Sequence, residues 1–170
     1  ITSWQVVQGL HAIDILSGEI ESLPSEGSVA PDSYEVRRGD TRASVLDRMV
    51  EAQTEILNRA WESRADGLPL ASPDEALILA SIIEKETGLA EERRTVASVF
   101  INRLNRPMRL QTDPSVIYGI TRGQGSLGRG LRQSELARKT EWNTYQIDGL
   151  PKTPIANPGR DAIEAALNPE

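Results

Sequence analysis

Between Ser72 and Gly88 the chain sets Ala76, Leu77, Ile78, Leu79, Ala80, Ile82 and Ile83 in an almost unbroken apolar run. Ahead of it, Ser72-Pro73-Asp74-Glu75 has the form of a capping box: the Ser hydroxyl and the Glu carboxylate each satisfy a free backbone donor, and Pro suits the first helical position. Behind it stands Gly88, the residue type preferred just past a helix end. A helix that is apolar on nearly every side is stable only when other elements surround it. The run is far shorter than the roughly 20 residues that a bilayer span needs, so those surroundings must be protein.

Helical periodicity supplies the partners. Residues 2–11 read as a short helix capped by Thr2 or Ser3, with Trp4, Val7 and Leu10 on one face. Residues 41–63 carry Val45, Leu46, Met49, Ile56, Leu57, Ala60 and Trp61 at helical spacing, and residues 90–105 turn Val96, Val99, Phe100 and Leu104 inward. Asp113-Pro114 caps a short helix with Val116, Ile117 and Tyr118, and Asn157-Pro158 starts a last one through Ile163 and Leu167. Residues 17–39 read as a connector in which only Ser33-Tyr34-Glu35-Val36 has strand character, and residues 121–130 as a glycine-rich loop. Asp-Gly-Leu-Pro occurs at 66–69 and again at 148–151 without matching flanks, which predicts two similar turns and no repeat. The fold class is mainly α.

Composition then removes whole classes of chemistry. There is no cysteine and a single histidine, His11, set among apolar residues where a structural role is expected, so thiol nucleophiles and histidine triads are out. The formal net charge is -6 and no stretch gathers Lys and Arg into a stripe, which argues against nucleic acid. No metal or organic cofactor is implied. Gly123-Gln124-Gly125-Ser126-Leu127-Gly128 has the spacing of a dinucleotide-binding loop but lacks the strand that must precede it, and reads better as a rim loop. Arg93-Arg94 and Arg103, Arg106 and Arg109 read as solvated faces with local ion pairs, with attraction for anionic sugar or peptide groups as the alternative.

Acid–base work must therefore fall to carboxylates. At about 100° per residue Glu86 follows Ile82 and Ile83 and lines up with Leu79 on the most apolar side, while Glu84 projects nearly opposite, towards Ala80 and Leu77. A carboxyl held against Ile and Leu loses hydration in its charged form and stays protonated nearer neutral pH, as a general acid requires. The plainer alternative has Glu86 reaching solvent or pairing with Arg93 or Arg94.

The run Ala80-Ser81-Ile82-Ile83-Glu84-Lys85-Glu86-Thr87, then residues 96–104 and Met108-Arg109-Leu110-Gln111-Thr112-Asp113-Pro114-Ser115-Val116-Ile117-Tyr118-Gly119, resembles the core of the endolytic murein transglycosylase family (MltG, YceG-like). Trp142-Asn143-Thr144-Tyr145, Gly149-Leu150-Pro151 and Asn157-Pro158-Gly159 continue the likeness in the same order, from about residue 61 to 169. The resemblance implies a lysozyme-like catalytic domain over residues 39–170, shortened at its C-terminal end, preceded over residues 1–38 by a connector and the remnant of a small α+β LysM-like subdomain. It implies Glu86, followed by Thr87, as the catalytic residue, and Gln111, Thr112, Asn143 and Tyr145 as sugar-binding or orienting groups, with Tyr118 either touching substrate or packing in the core. It implies peptidoglycan glycan strands as substrate, cut between MurNAc and GlcNAc with 1,6-anhydro ends, and peptidoglycan synthases as further partners. The parent protein is expected at the inner membrane of a bacterium, facing the periplasm, with its anchor outside this stretch, and the shortened chain is expected to bind glycan poorly. A lysozyme-type muramidase and a non-catalytic peptidoglycan-binding or scaffold module are the competing readings.

Overall fold

A computed structural model describes residues 1–170. It is mainly helical: α1 (Ser3–His11), α2 (Arg42–Glu62), α3 (Pro73–Glu86), a 3-10 turn (Ala90–Glu92), α4 (Arg93–Asn105), α5 (Asp113–Thr121), α6 (Gln133–Ala137) and α7 (Arg160–Leu167). There is no sheet, and one isolated parallel bridge joins Ser17 to Thr41. Residues 33–36, which have strand character, stay irregular within the connector and pair with no other segment.

Helix α3 is the axis of the main core. Ala76, Leu79, Ala80, Ile82 and Ile83 are fully excluded from solvent, packed with Leu57 and Ala60 of α2, Ala97, Phe100 and Ile101 of α4 and Ile163, Ala166 and Leu167 of α7. Each buried Leu or Ile contributes roughly 1.5–3 kcal/mol, which is why this segment tolerates no polar face. Ser81 is equally buried and spends its hydroxyl twice, donating to Ile78 O at 2.6 Å and accepting from Ile155 N at 3.0 Å.

A smaller apolar cluster joins Val6 and Leu10 of α1, Leu16 and Val29 of the connector, and Val45, Leu46 and Met49 of α2. Residues on both sides of position 38 thus share one core. Polar bonds tie this part to the rest: Asn157 accepts from Val29 N at 3.1 Å through Oδ1, and buried Gln53 donates through Nε2 to Gly27 O at 3.0 Å and Pro158 O at 2.9 Å. Gly27 has a φ of 88°, and a Cβ there would meet Pro154 at 2.7 Å, so only glycine fits.

Several boundaries differ from expectation. Ser72 caps α3 by accepting from Glu75 N at 3.3 Å, but Glu75 does not complete the reciprocal half of a capping box. Gly88 is not left-handed; α3 stops because Thr87 turns extended and uses its hydroxyl to accept from Leu89 N and donate to Glu92. Thr112, not Asp113, occupies the cap position of α5, and Gly159, not Asn157, that of α7, where Asn157 is occupied with Val29, Ile1 and Ser3. Val99 is exposed, its inward place taken by Ala97 and Ile101. His11 is exposed at the end of α1. Gly67 and Gly149 both adopt left-handed turns, with φ of 74° and 72°, as two copies of the same turn chemistry.

Candidate active site

Helix α3 ends with two glutamates whose fates separate. Glu84 is half-buried, and its Oε1 accepts from Gly159 N at 2.8 Å, serving the first backbone donors of α7. Glu86, one step beyond the last full turn of apolar packing, is exposed and engages neither Arg93, which pairs with Asp161 at 3.7 Å, nor Arg94, which donates to Asn168 O at 3.0 Å. The helical wheel predicted the reverse order of burial. It fails here because α7 covers the Glu84 side, whereas the chain leaves α3 at Thr87 before anything covers Glu86.

Although its tip is exposed, the Glu86 carboxyl is partly desolvated by the protein around it. That desolvation lifts it above the ordinary carboxylate range, the negative charge of Asp113 adds to the rise, and Arg103 opposes it. Tyr145 completes the group. Its hydroxyl donates to Asp113 Oδ1 at 2.6 Å, and this bond, with desolvation and the charges of Asp113 and Glu86, pushes the phenol up to about 12. Arg103 of α4 donates from its guanidinium to Leu110 O at 2.5 Å, holding the irregular segment that leads into α5.

Residues 110–115 and 143–145 form a polar lattice beneath this surface. Thr112 N donates to Thr144 Oγ1 at 2.9 Å, Ser115 Oγ donates to Thr112 O at 2.7 Å and accepts from Thr144 Oγ1 at 2.8 Å, and Gln111 N donates to Thr144 O at 3.2 Å. Gln111 is exposed between buried Leu110 and Thr112 and has a φ of 55°, a left-handed conformation that costs a non-glycine residue about 1–3 kcal/mol. The lattice holds that strain and thrusts the Gln111 amide outward.

The other expected sugar-binding residues are placed differently. Asn143 is fully buried: its Nδ2 donates to Leu136 O at 3.1 Å and Arg138 O at 2.7 Å, and its Oδ1 accepts from Tyr145 N at 2.9 Å. With its amide so engaged, it holds the Tyr145 turn and cannot reach a ligand on the surface. Thr112 is also buried, its Oγ1 without a partner. Tyr118 turns away from Glu86, donating to Glu26 Oε2 at 3.0 Å and standing 5.8 Å from the Trp142 ring. Glu86, Gln111 and Tyr145 are therefore the expected residues presented to solvent.

Sequence reasoning assigned Asp113 to capping and missed its place beside Glu86. The signal was present in Thr112, itself a favoured cap residue, which leaves the following Asp free to project. Helix α6 was also missed, being five residues long and stabilised by Glu135, which pairs bidentately with Arg129 at 2.7 and 2.9 Å and accepts from Arg132 N. A cleft of about 330 Å³ is walled by Lys85 and Pro114, the chain neighbours of Glu86 and Asp113, and by Ile117, Tyr118, Gln5 and Leu127, while Glu86, Asp113, Gln111 and Tyr145 themselves lie outside its lining.

Comparison with known proteins gives this geometry its context. The family model described as the YceG-like family matches residues 1–170. The chain belongs to the YceG-like family. It is 34% identical over 164 residues to a protein of Streptococcus pneumoniae serotype 2 named endolytic murein transglycosylase, covering 88% of this chain and 28% of that one. It is also 34% identical over 147 residues to the endolytic murein transglycosylase of Bacillus subtilis, covering 86% and 39%. A crystal structure of a yceG-like protein from Listeria monocytogenes superposes with a TM-score of 0.72 at 31% identity, over 98% of this chain and 54% of that one. The chain thus spans well under half the length of these two named relatives. No helix of this YceG-like chain is long and apolar enough to cross a membrane.

Proposed function

We propose that this chain is the catalytic part of an endolytic murein transglycosylase, cutting the MurNAc–GlcNAc bond of peptidoglycan glycan strands with Glu86 as both acid and base. The observation that carries the reading is the division of labour at the end of α3: Glu84 is consumed by α7, while Glu86 is unpaired, partly desolvated and faced by Tyr145 and Asp113. The named relatives from Streptococcus and Bacillus supply the reaction class.

The cycle needs one proton and one carboxyl. Protonated Glu86 donates to the glycosidic oxygen, the bond from that oxygen to MurNAc C1 breaks, and GlcNAc leaves with a free hydroxyl. The MurNAc acetamido oxygen attacks C1 as the bond breaks, as in substrate-assisted glycosidases. The C6 hydroxyl then displaces it, giving its proton to the Glu86 carboxylate and closing a 1,6-anhydro ring without water. Gln111 hydrogen-bonds an N-acetyl or hydroxyl group, Tyr145 orients the sugar at Glu86, and Asn143 and Thr112 act from below by fixing those two.

On this reading residues 39–170 are a lysozyme-like domain and residues 1–38 the end of a LysM-like subdomain and its connector. The intact protein sits at the bacterial inner membrane with this part in the periplasm and trims strands made by peptidoglycan synthases. The test is Glu86→Gln in the full-length protein, followed by mass spectrometry of digested peptidoglycan. Loss of anhydro ends is expected, and undiminished cutting refutes the assignment. A hydrolase reading is favoured by one observation, the second carboxylate of Asp113 near Glu86. Products with reducing ends and no anhydro sugar would establish it.

A further inference from the structure

We propose that Asp113 is a positioning residue of the Glu86 site, acting through the Tyr145 hydroxyl that it holds and through its own charge. The inference rests on the reading of Glu86 as acid and base and extends it to a residue outside the catalytic carboxyl itself.

Asp113 opens α5 without capping it: Thr112 holds the cap position, and the Asp113 side chain is exposed. The dipole at the start of α5 favours a negative charge there. The partner it takes lies 32 residues away, the Tyr145 hydroxyl at 2.6 Å, in the short range of charge-assisted bonds. Two further bonds fix the turn from which Tyr145 projects, Tyr145 N to Asn143 Oδ1 at 2.9 Å and Arg109 Nη1 to Tyr145 O at 3.0 Å. So long an anchorage for one half-buried phenol exceeds what the core requires of it.

The chemical consequence follows from donor and acceptor counting. A tyrosine hydroxyl has one proton, and Asp113 takes it. The phenol oxygen then meets Glu86 or a sugar hydroxyl only as an acceptor, an arrangement suited to a Glu86 that still carries its proton. The charge of Asp113 works in the same direction. The charged and titratable groups facing Glu86 are Asp113 from α5, Tyr145 from its turn and Arg103 from α4, and of these Arg103 alone favours the ionised form. Asp113 thereby offsets Arg103 and keeps the acid loaded at the start of each cycle.

The experiment measures anhydro-end release by the full-length protein on purified glycan strands from about pH 4.5 to 9. Asp113→Asn preserves an acceptor for Tyr145 and removes the charge. The alkaline limb of kcat should move to lower pH by roughly half to one unit, so that turnover near pH 8 falls roughly 3- to 10-fold while the acid plateau and KM hold within about twofold. Asp113→Glu should restore the wild-type limb, and Asp113→Ala, which also frees the phenol, should lower the plateau as well. A profile of Asp113→Asn that superimposes on wild type overturns the proposal, as does a rise in KM at unchanged kcat, which would mark a plain sugar contact. Glu86→Gln run in parallel separates the two levels: if that variant still releases anhydro ends, the underlying assignment of Glu86 has failed and not the role of Asp113 alone.

Discussion

Glu84 and Glu86 stand two residues apart on one helix, and the structure predicts that they fail in different ways. Glu84→Ala removes a carboxylate that accepts from Gly159 N at 2.8 Å and leaves that half-buried donor unmatched at the start of α7. A hydrogen bond to a charged group is worth about 1.5–3 kcal/mol. In a domain of this size each kcal/mol lowers the melting temperature by about 2–4 °C, so Glu84→Ala should melt roughly 3–12 °C below wild type. Glu84→Gln keeps the oxygen acceptor and loses only the interaction of charge with the helix start, about 0.3–1 kcal/mol, a loss of roughly 1–4 °C. Glu86→Gln, by contrast, gives up no bond and relieves a partly desolvated acid, so its melting temperature should stay within about 2 °C of wild type while strand cutting disappears. The assay pairs thermal melts followed by circular dichroism with muropeptide analysis well below the lowest melting temperature. The division of roles is wrong if Glu84→Ala melts like wild type, or if a folded Glu84→Ala has lost cutting to the same extent as Glu86→Gln.

Gln111→Gly should relieve the left-handed strain at φ 55° and raise stability by about 1 kcal/mol, while KM for glycan strands rises; a melt and a saturation curve check the two halves separately. Leu79→Ala, at the fully buried centre of α3, should cost about 3–5 kcal/mol by urea titration. Glu26 is raised above its unfolded value of 4.5 by burial, against the opposing bonds from Ser3 and Tyr118, so its contribution is complete below about pH 4.5 and is lost as pH climbs through the folded value. The melting temperature of Glu26→Gln relative to wild type should accordingly be more favourable at pH 7.5 than at pH 4, and an equal difference at both would remove Glu26 as the cause.

The long helices were legible because their signals are local. Ser72-Pro73 marks the start of α3, and the apolar positions of α2 repeat often enough that 41–63 was read for an observed Arg42–Glu62. What sequence could not show depends on partners far along the chain. The burial of Glu84 over Glu86 depends on α7 arriving from residue 160, and the covering of Asn143 depends on a five-residue helix with no periodicity to detect. Asp113 looked like a cap because Asp before Pro usually is one; only Tyr145, distant in sequence, shows what it holds. Glu86 itself is legible in the periodicity and the resemblance, and so is the desolvation that raises it, but its exposure is not, because that depends on where the chain turns at Thr87.

Asn157 bonds to Ile1 O through its backbone at 2.9 Å, and its side chain meets Val29 N and Ser3 Oγ. During vectorial synthesis residues 1–30 therefore emerge long before the amide that secures them exists, and at about 5–20 residues per second they wait many seconds on the ribosome with Val29 and its neighbours uncovered. Closing so large a loop late is slow, and the segment is left in the meantime to whatever chaperone or translocation machinery receives the nascent chain.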